Sequence, residues 1–289
     1  MPPLHKTQLS DLLRKRSTKT KTKLLIFRGS KVLSSIRNFS ILFFLMLFTL
    51  KARSQFSVSG QDPATIHWEQ INTDHFQLVF PHEFAYEANR FANLLMFAYE
   101  YDAKTMAHRP KKISVLLHSG SVTSSAFVIW APKRMEVYPN PPQDLYAQEW
   151  LEQLAEHELR HVVQIDKLNK GFTEVLSILF GQQAIGGIVP MLPCWFLEGD
   201  AETEETSLSH AGRGRSPSFE MELRALFTSE KDLYSYDKAT RGSYRDYVPD
   251  YYHFGYPMVA YGRMKYGAEL WYKTVDYVRK YPFTIVPFY

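Results

Sequence analysis

The sequence predicts an α+β fold, with a small mixed sheet that includes a hairpin, followed by a mainly helical half. Strand-like patterns occur in residues 62–142, whereas helical patterns interrupted by Gly and Pro fill residues 147–280. Strands that precede the helices, instead of alternating with them, are typical of folds whose helices are segregated from the sheet. A chain of 289 residues with 45% hydrophobic content can bury one sizeable core. We therefore expect one domain over residues 55–289.

Short runs rich in β-branched and aromatic residues predict the strands. A polar turn at residues 72–75 separates the first two runs and favours a hairpin, and the last two runs are joined across residues 131–133. The predicted strands are residues 65–72, 76–80, 112–118, 126–130 and 134–138. Between them, residues 83–106 carry apolar side chains at helical spacing without internal Gly or Pro, which predicts a long helix.

The positive charge of the chain is concentrated at its N-terminus. Residues 1–54 contain 12 Lys and Arg against one acid, Asp11, which leaves 22 basic and 29 acidic residues in residues 55–289. The predicted domain is therefore acidic, and we expect no nucleic-acid partner. The single cysteine, Cys194, excludes both an internal disulfide and a metal site built from several thiolates.

Residues 1–54 have the pattern of an export signal. A basic stretch ends at Arg37, an apolar run follows at residues 39–50, and the small residues Ala52 and Ser54 come next. This order predicts cleavage after Ser54 and a periplasmic or extracellular domain. An uncleaved membrane anchor and a buried helix are the alternatives. In each case, the only membrane contact that we expect is through this segment.

The motif His157-Glu158-Leu159-Arg160-His161 lies in the first predicted helix after the sheet. Residues four apart on a helix differ by about 40° around the axis and about 6 Å along it, so both imidazoles project from one face. Two imidazoles in this arrangement can bind one zinc ion, and Glu158 lies close enough to reach a water on the metal. The alternative interpretation is a pair of hydrogen-bonded core histidines.

A catalytic zinc commonly has a third protein ligand. An apolar segment, residues 193–197, leads directly into Glu198 and holds this carboxylate against the core, where metal coordination would compensate its buried charge. Glu202 lies four residues later on the same face and could orient one of the imidazoles by accepting its free ring N–H. For Glu202, as for Glu204 and Glu205, the alternative is an ordinary solvated acidic face.

Together, the His-Glu-x-x-His motif and the downstream Trp-Phe-Leu-Glu-Gly-x-Ala-Glu motif resemble those of gluzincin metallopeptidases such as thermolysin. Over residues 65–279 the chain is similar to peptidase MA-like domains, which occur at the N-terminus of exported bacterial proteins, often ahead of a β-propeller. The resemblance implies a thermolysin-like fold and one zinc ion on His157, His161 and Glu198. It also implies that Glu158 is the general base and proton shuttle.

The resemblance further implies a hydrogen-bond donor for the oxyanion that develops during peptide hydrolysis. Aminopeptidase N-like enzymes use a tyrosine in a Tyr-x-x-Gly setting near the start of a late helix. Here Tyr252 and Gly255 have this spacing, which makes Tyr252 the first candidate. His253 and Tyr251 are the alternatives.

Two features depart from the pattern of the family. The 36 residues between His161 and Glu198 exceed the usual gap, and they indicate an insertion, with an apolar helix at residues 171–180, that could act as a lid. The Gly-Ala-Met-Glu-Asn segment with which aminopeptidases hold a substrate N-terminus is absent. In its place we expect the strand 134–138 to pair with an extended peptide at the sheet edge, which leaves endopeptidase activity open.

The sequence therefore predicts an exported zinc metallopeptidase that hydrolyses peptide or protein substrates with a metal-bound water activated by Glu158. One alternative is a catalytically idle metal-binding or interaction module of a larger exported protein. The other is a metal-free structural domain.

Overall fold

One mixed sheet of five strands lies in the first half of the described chain. The strands are β1 (Trp68–Asn72), β2 (Phe76–Pro81), β3 (Ile113–Leu117), β4 (Ser124–Trp130) and β5 (Lys133–Pro139). They lie in the order β1-β2-β3-β5-β4. The pairs β1–β2 and β4–β5 are antiparallel, whereas β3 is parallel to both of its neighbours. The predicted α+β class, with its small mixed sheet and N-terminal hairpin, is confirmed.

The structure is a computed structural model that describes residues 62–143, 147–229 and 234–282. The predicted targeting arm, residues 1–54, lies outside the described residues. Among those described, no helix is both long enough and apolar enough to cross a membrane.

The prediction that strand 134–138 forms the sheet edge is wrong. Its strand, β5, lies between β3 and β4, with Arg134 opposite Ser114 on one side and Ile129 on the other. Its backbone groups are therefore used on both sides. The edge strand on this side of the sheet is β4, because the parallel pairing of β3 with β5 leaves β4 on the outside of its hairpin, and β1 is the edge strand on the other side.

The long helix α1 (Ala85–Thr105) crosses from β2 to β3 and packs on the sheet. Phe91, Leu95 and Ala98 follow one another at spacings of four and three residues, and all three are fully buried. This spacing places them on one face of the helix, where they join strand residues such as Leu78 and Val115 in one core cluster. The predicted helix at residues 83–106 is thus confirmed, with slightly shorter bounds.

The second half of the described chain is helical. Its helices are α2 (Trp150–Leu168), α3 (Phe172–Phe180), α4 (Cys194–Leu208), α5 (Pro217–Thr228), α6 (Tyr236–Arg241), α7 (Tyr251–Tyr266) and α8 (Leu270–Lys280). Helix α2 packs against α1 and also against α4. Helix α3 confirms the apolar helix that was predicted at residues 171–180, and two 3-10 turns, Gln182–Gly187 and Val189–Met191, connect it to α4.

Helices α4 and α7 approach each other closely through two glycines. A Cβ atom on Gly199 would lie 2.2 Å from the carbonyl carbon of Gly255, and one on Gly255 would lie 2.1 Å from the carbonyl oxygen of Trp195. Any side chain at either position would therefore collide with backbone atoms. This contact holds the N-terminal part of α7, which carries Tyr252, against the N-terminal part of α4, which carries Glu198.

A buried carboxylate, Asp166 on α2, ties the helix to the sheet. Its Oδ2 lies 2.9 Å from Nε2 of His108 and accepts a hydrogen bond from the backbone N–H of Lys111 at 3.2 Å, and its Oδ1 pairs with Nζ of Lys133. Burial disfavours the charge of Asp166, but the contacts with His108 and Lys133 outweigh this effect and lower its pKa. A carboxylate with a lowered pKa in the folded state adds stability above its unfolded pKa of about 3.9, and this stability is lost at lower pH.

We expect Asp166→Asn to lower the free energy of unfolding at pH 7 by about 1–3 kcal/mol, because it removes a charged partner from buried donors. Urea unfolding at pH 7 and near pH 3 should show that the difference from wild type shrinks in acid. Asp237→Asn, at an exposed pair with Arg241, is the matched control and should have little effect at either pH. An equal loss for Asp166→Asn at both pH values would contradict the proposed role of its charge.

Candidate metal centre

Three of the predicted ligand side chains meet between α2 and α4. His157 and His161 lie one turn apart on α2, and their Nε2 atoms are 3.2 Å apart. Glu198, near the N-terminus of α4, places its Oε2 at 3.2 Å from each of these nitrogens. The three atoms thus form a nearly equilateral triangle, at the point where the two helices pack together.

This donor set fits a divalent ion such as zinc. Bonds of about 2.0–2.1 Å at tetrahedral angles keep neighbouring ligand atoms about 3.3 Å apart, which agrees with the observed separations. Two imidazoles and one carboxylate are also typical zinc ligands, and they leave a fourth position open. His157, His161 and Glu198 can therefore hold one ion without rearrangement of the helices.

The charges of the three ligand side chains depend on one another. Burial disfavours a charged His157, but its hydrogen bonds to Glu198 and Glu205 raise its pKa to about 10. Burial also opposes the charge of Glu198, yet the two imidazoles hold its pKa well below the usual range. Because an imidazole must lose its proton to bind a metal, an ion bound here would displace protons, and its affinity should decrease in acid.

Each imidazole has a partner for its second nitrogen. Nδ1 of His157 lies 3.2 Å from Oε2 of Glu205, and Nδ1 of His161 lies 2.9 Å from Oε1 of Gln164. Gln164 in turn donates to Oδ2 of Asp200 at 2.9 Å. With these partners each ring can keep Nδ1 protonated and direct the lone pair of Nε2 toward the ion.

Glu202 was the predicted orienting carboxylate, but the side chain in contact with His157 is that of Glu205. Glu205 is seven residues, or two helical turns, after Glu198, and it therefore shares the face of Glu198. This spacing was visible in the sequence and could have indicated Glu205. In the described structure Glu202 makes no hydrogen bond to either imidazole.

The alternative of a solvated acidic face for residues 202–205 is wrong. The side chains of Glu202, Glu204 and Glu205 are fully buried, and arginines from outside α4 pair with them. Arg213 pairs with Glu202 and Glu205, whereas Glu204 pairs with two other arginines. Burial and the adjacent carboxylate raise the pKa of Glu202, whereas Arg213 and His157 overcome burial and lower that of Glu205.

Glu158 lies beside the ligand triangle in a cavity of about 260 Å³. The cavity also contains both histidines and Glu198, and its apolar wall includes Phe127 and Trp130 of the edge strand β4. Oε2 of Glu158 is buried and has no hydrogen-bond partner among the described residues. Burial raises the pKa of Glu158, although the two histidines partly oppose this shift. Its carboxylate is thus positioned to accept a proton inside the cavity.

Of the three candidate oxyanion donors, only Tyr252 lines the cavity. Asp250 caps α7 by accepting hydrogen bonds from the backbone N–H groups of Tyr252 and His253. The ring of Tyr252 then lies 6.5 Å from that of His157, whereas His253 turns away and stacks on Phe219 at 4.6 Å. Burial and the nearby Glu198 carboxylate raise the pKa of Tyr252, so its hydroxyl remains a donor.

Arg160, which lies between the two motif histidines in the sequence, belongs to a buried network that is linked to His161 through Asp200 and Gln164. Its Nε donates to Asp200 at 2.6 Å, and its Nη1 donates to Asp102 at 3.2 Å and to Thr105 at 2.7 Å. Its Nη2 also lies 3.3 Å from Glu204. Although burial opposes the charge, these carboxylates raise the pKa of Arg160 further. The network joins α2 to α1 and to α4 behind the ligand triangle.

A scan of the sequence against models of known protein families gives no match, and a search of curated proteins finds no similar sequence. The resemblance to gluzincins therefore stays a prediction that rests on the two sequence motifs.

Proposed function

We propose that this protein is an exported zinc-dependent metallopeptidase of the gluzincin type, with one zinc ion on His157, His161 and Glu198. The observation that supports this proposal best is the 3.2 Å triangle of ligand atoms next to the buried carboxylate of Glu158. A pair of ordinary core histidines would not need a third ligand at equal distance, nor a cavity in front of them. The signal-like arm at residues 1–54 supports a periplasmic or extracellular location.

Zinc at this site would polarise a substrate carbonyl and lower the pKa of a water ligand. Glu158 accepts a proton from the attacking water on its carboxylate, while the water oxygen bonds to the carbonyl carbon. As the C–N bond breaks, Glu158 delivers this proton to the amine nitrogen. The hydroxyl of Tyr252 donates a hydrogen bond to the oxygen that becomes negative during attack.

The substrate is an extended peptide or protein segment that pairs with β4. This strand is the sheet edge on the cavity side, and Ala126, Phe127, Val128 and Trp130 from it line the cavity. Pairing with an edge strand holds a peptide backbone without regard to sequence, and neighbouring pockets then select side chains. Pairing of this kind does not need a free peptide terminus, so it is compatible with endopeptidase activity.

The test is chelator-sensitive cleavage of casein and of a fluorogenic peptide library by the zinc-loaded full chain. We expect cleavage that 1,10-phenanthroline abolishes and that added zinc restores. The isomer 1,7-phenanthroline does not chelate and is the matched control, which should have no effect. A zinc-bound chain that cleaves none of these substrates would favour the idle metal-binding module instead.

A further inference from the structure

The turn after α4 has a Gly-Arg-Gly-Arg sequence, and both glycines are closely surrounded, Gly212 by backbone atoms and Gly214 by the side chain of Tyr256. A Cβ on Gly212 would lie 2.5 Å from Cα of Thr206, and one on Gly214 would lie 2.1 Å from the ring of Tyr256. The backbone N–H of Gly214 also donates to Oγ1 of Thr206 at 3.1 Å. The backbone around Arg213 is therefore fixed between α4 and α7.

From this fixed position, Arg213 holds both oxygens of Glu205. Its backbone N–H and its Nε donate to Oε1 at 3.0 and 2.9 Å, and its Nη2 donates to Oε2 at 2.8 Å. Such a two-point contact between arginine and a carboxylate fixes the orientation of the carboxylate as well as its charge. Oε2 of Glu205 is the atom that lies 3.2 Å from Nδ1 of His157.

The guanidinium also contacts the other groups behind the ligand triangle. Nη2 of Arg213 lies 2.8 Å from Oε1 of Glu202. It also lies 2.8 Å from Nδ1 of His157, which is a contact between two donors when Nδ1 carries its proton, so the protons of Nη2 serve the two carboxyl groups. The guanidinium carbon lies 5.8 Å from the ring centroid of Tyr252. One arginine thus touches the partner of a metal ligand, a second buried carboxylate and the candidate oxyanion donor.

We propose that Arg213 is a positioning residue of the metal centre, which aims Oε2 of Glu205 at Nδ1 of His157 and so keeps Nε2 directed at the ion. This inference rests on the metal site of the proposed function, but not on catalysis. A plain alternative is that Arg213 only neutralises the two buried carboxylates, Glu202 and Glu205. If Arg213 only neutralises charge, removing it together with Glu202 should leave the zinc affinity unchanged. If it positions Glu205, the affinity should still decrease.

The test compares zinc affinities, measured by competition with a chelating dye, of the full-length wild type, Arg213→Met and the double variant Arg213→Met/Glu202→Gln. The double variant removes the arginine together with one of the two buried carboxyl groups, so that no second carboxyl group opposes the charge of Glu205 if the single variant fails to fold. We expect the folded double variant to bind zinc about 10–100-fold more weakly than wild type. We also expect its cobalt-substituted form to show a changed visible spectrum, because the ligand geometry relaxes.

Arg215→Met is the matched control from the same turn, since Arg215 donates to the backbone oxygen of Thr206 and not to the site. It should keep the affinity and the cobalt spectrum of wild type. Wild-type affinity and spectrum in the double variant would overturn the positioning role of Arg213 and leave the metallopeptidase proposal intact. A wild-type chain that binds neither zinc nor cobalt would overturn both.

Discussion

Replacing Glu158 with glutamine should leave the zinc content of the protein unchanged and lower peptide cleavage by about 10²–10⁴-fold, the usual contribution of a general base. Glutamine has nearly the shape of glutamate but cannot accept the proton of the attacking water. Glu158 is not one of the three atoms of the ligand triangle, and its Oε2 makes no hydrogen bond within the described structure that the change would break. Steady-state cleavage rates and elemental analysis on the same preparation test both parts of this expectation.

Two further variants separate loss of the general base from loss of the metal and from nonspecific effects. His161→Ala removes a ligand, so it should lose zinc and activity together. Glu83→Gln changes an exposed glutamate just before α1 and should alter neither the zinc content nor the cleavage rate. Full activity in Glu158→Gln would show that another group acts as the base.

The second large effect concerns stability. Arg160→Met should lower the free energy of unfolding by about 3–5 kcal/mol, because it removes the arginine that pairs with buried Asp102 and leaves Asp200 and Glu204 with Arg263 alone. The side chains of Arg160, Asp102, Asp200 and Glu204 are all fully buried, so water cannot replace the lost contacts. Urea denaturation followed by circular dichroism measures this loss.

The control for this change is Arg109→Met, which breaks an exposed ion pair with Glu100. Exposed pairs contribute about 0–1 kcal/mol, so this variant should unfold near the wild-type midpoint. If the two arginine variants were equally stable, the buried network around Arg160 would not have the structural role assigned to it. Zinc should be added in excess in both cases, so that ligand binding does not mask the difference.

Local patterns were sufficient to predict the parts of the site that lie on one helix. The spacing of His157 and His161 determines that both imidazoles share a face, and the apolar segment before Glu198 indicates a carboxylate held at the core. Two glutamates, Glu202 and Glu205, share the helix face of Glu198 and are both candidates for the partner of His157. The spacing of two full turns from Glu198 favours Glu205, which is the residue that contacts His157.

Features that depend on pairing between distant segments could not be predicted in this way. Strand patterns show where β4 and β5 lie but not that β3 pairs with β5, so the sheet edge was assigned to the wrong strand. Arg213 reaches the site only because the chain reverses tightly after α4. No periodicity in the sequence indicates such a reversal. The buried ion pairs of Glu202 with Arg213 and of Glu204 with Arg160 depend on tertiary contacts, so a local pattern could not predict them either.

The most direct test of the whole account is the zinc content of the purified full-length chain and of three single-ligand variants, His157→Ala, His161→Ala and Glu198→Ala. After incubation with zinc and removal of the excess, we expect about one zinc ion per wild-type chain and much less in each variant. His82→Ala, at an exposed histidine that directly follows β2, should keep the wild-type zinc content. A wild-type chain without bound zinc, or a Glu198→Ala variant that retains zinc in full, would contradict the central claim that these three side chains hold one ion.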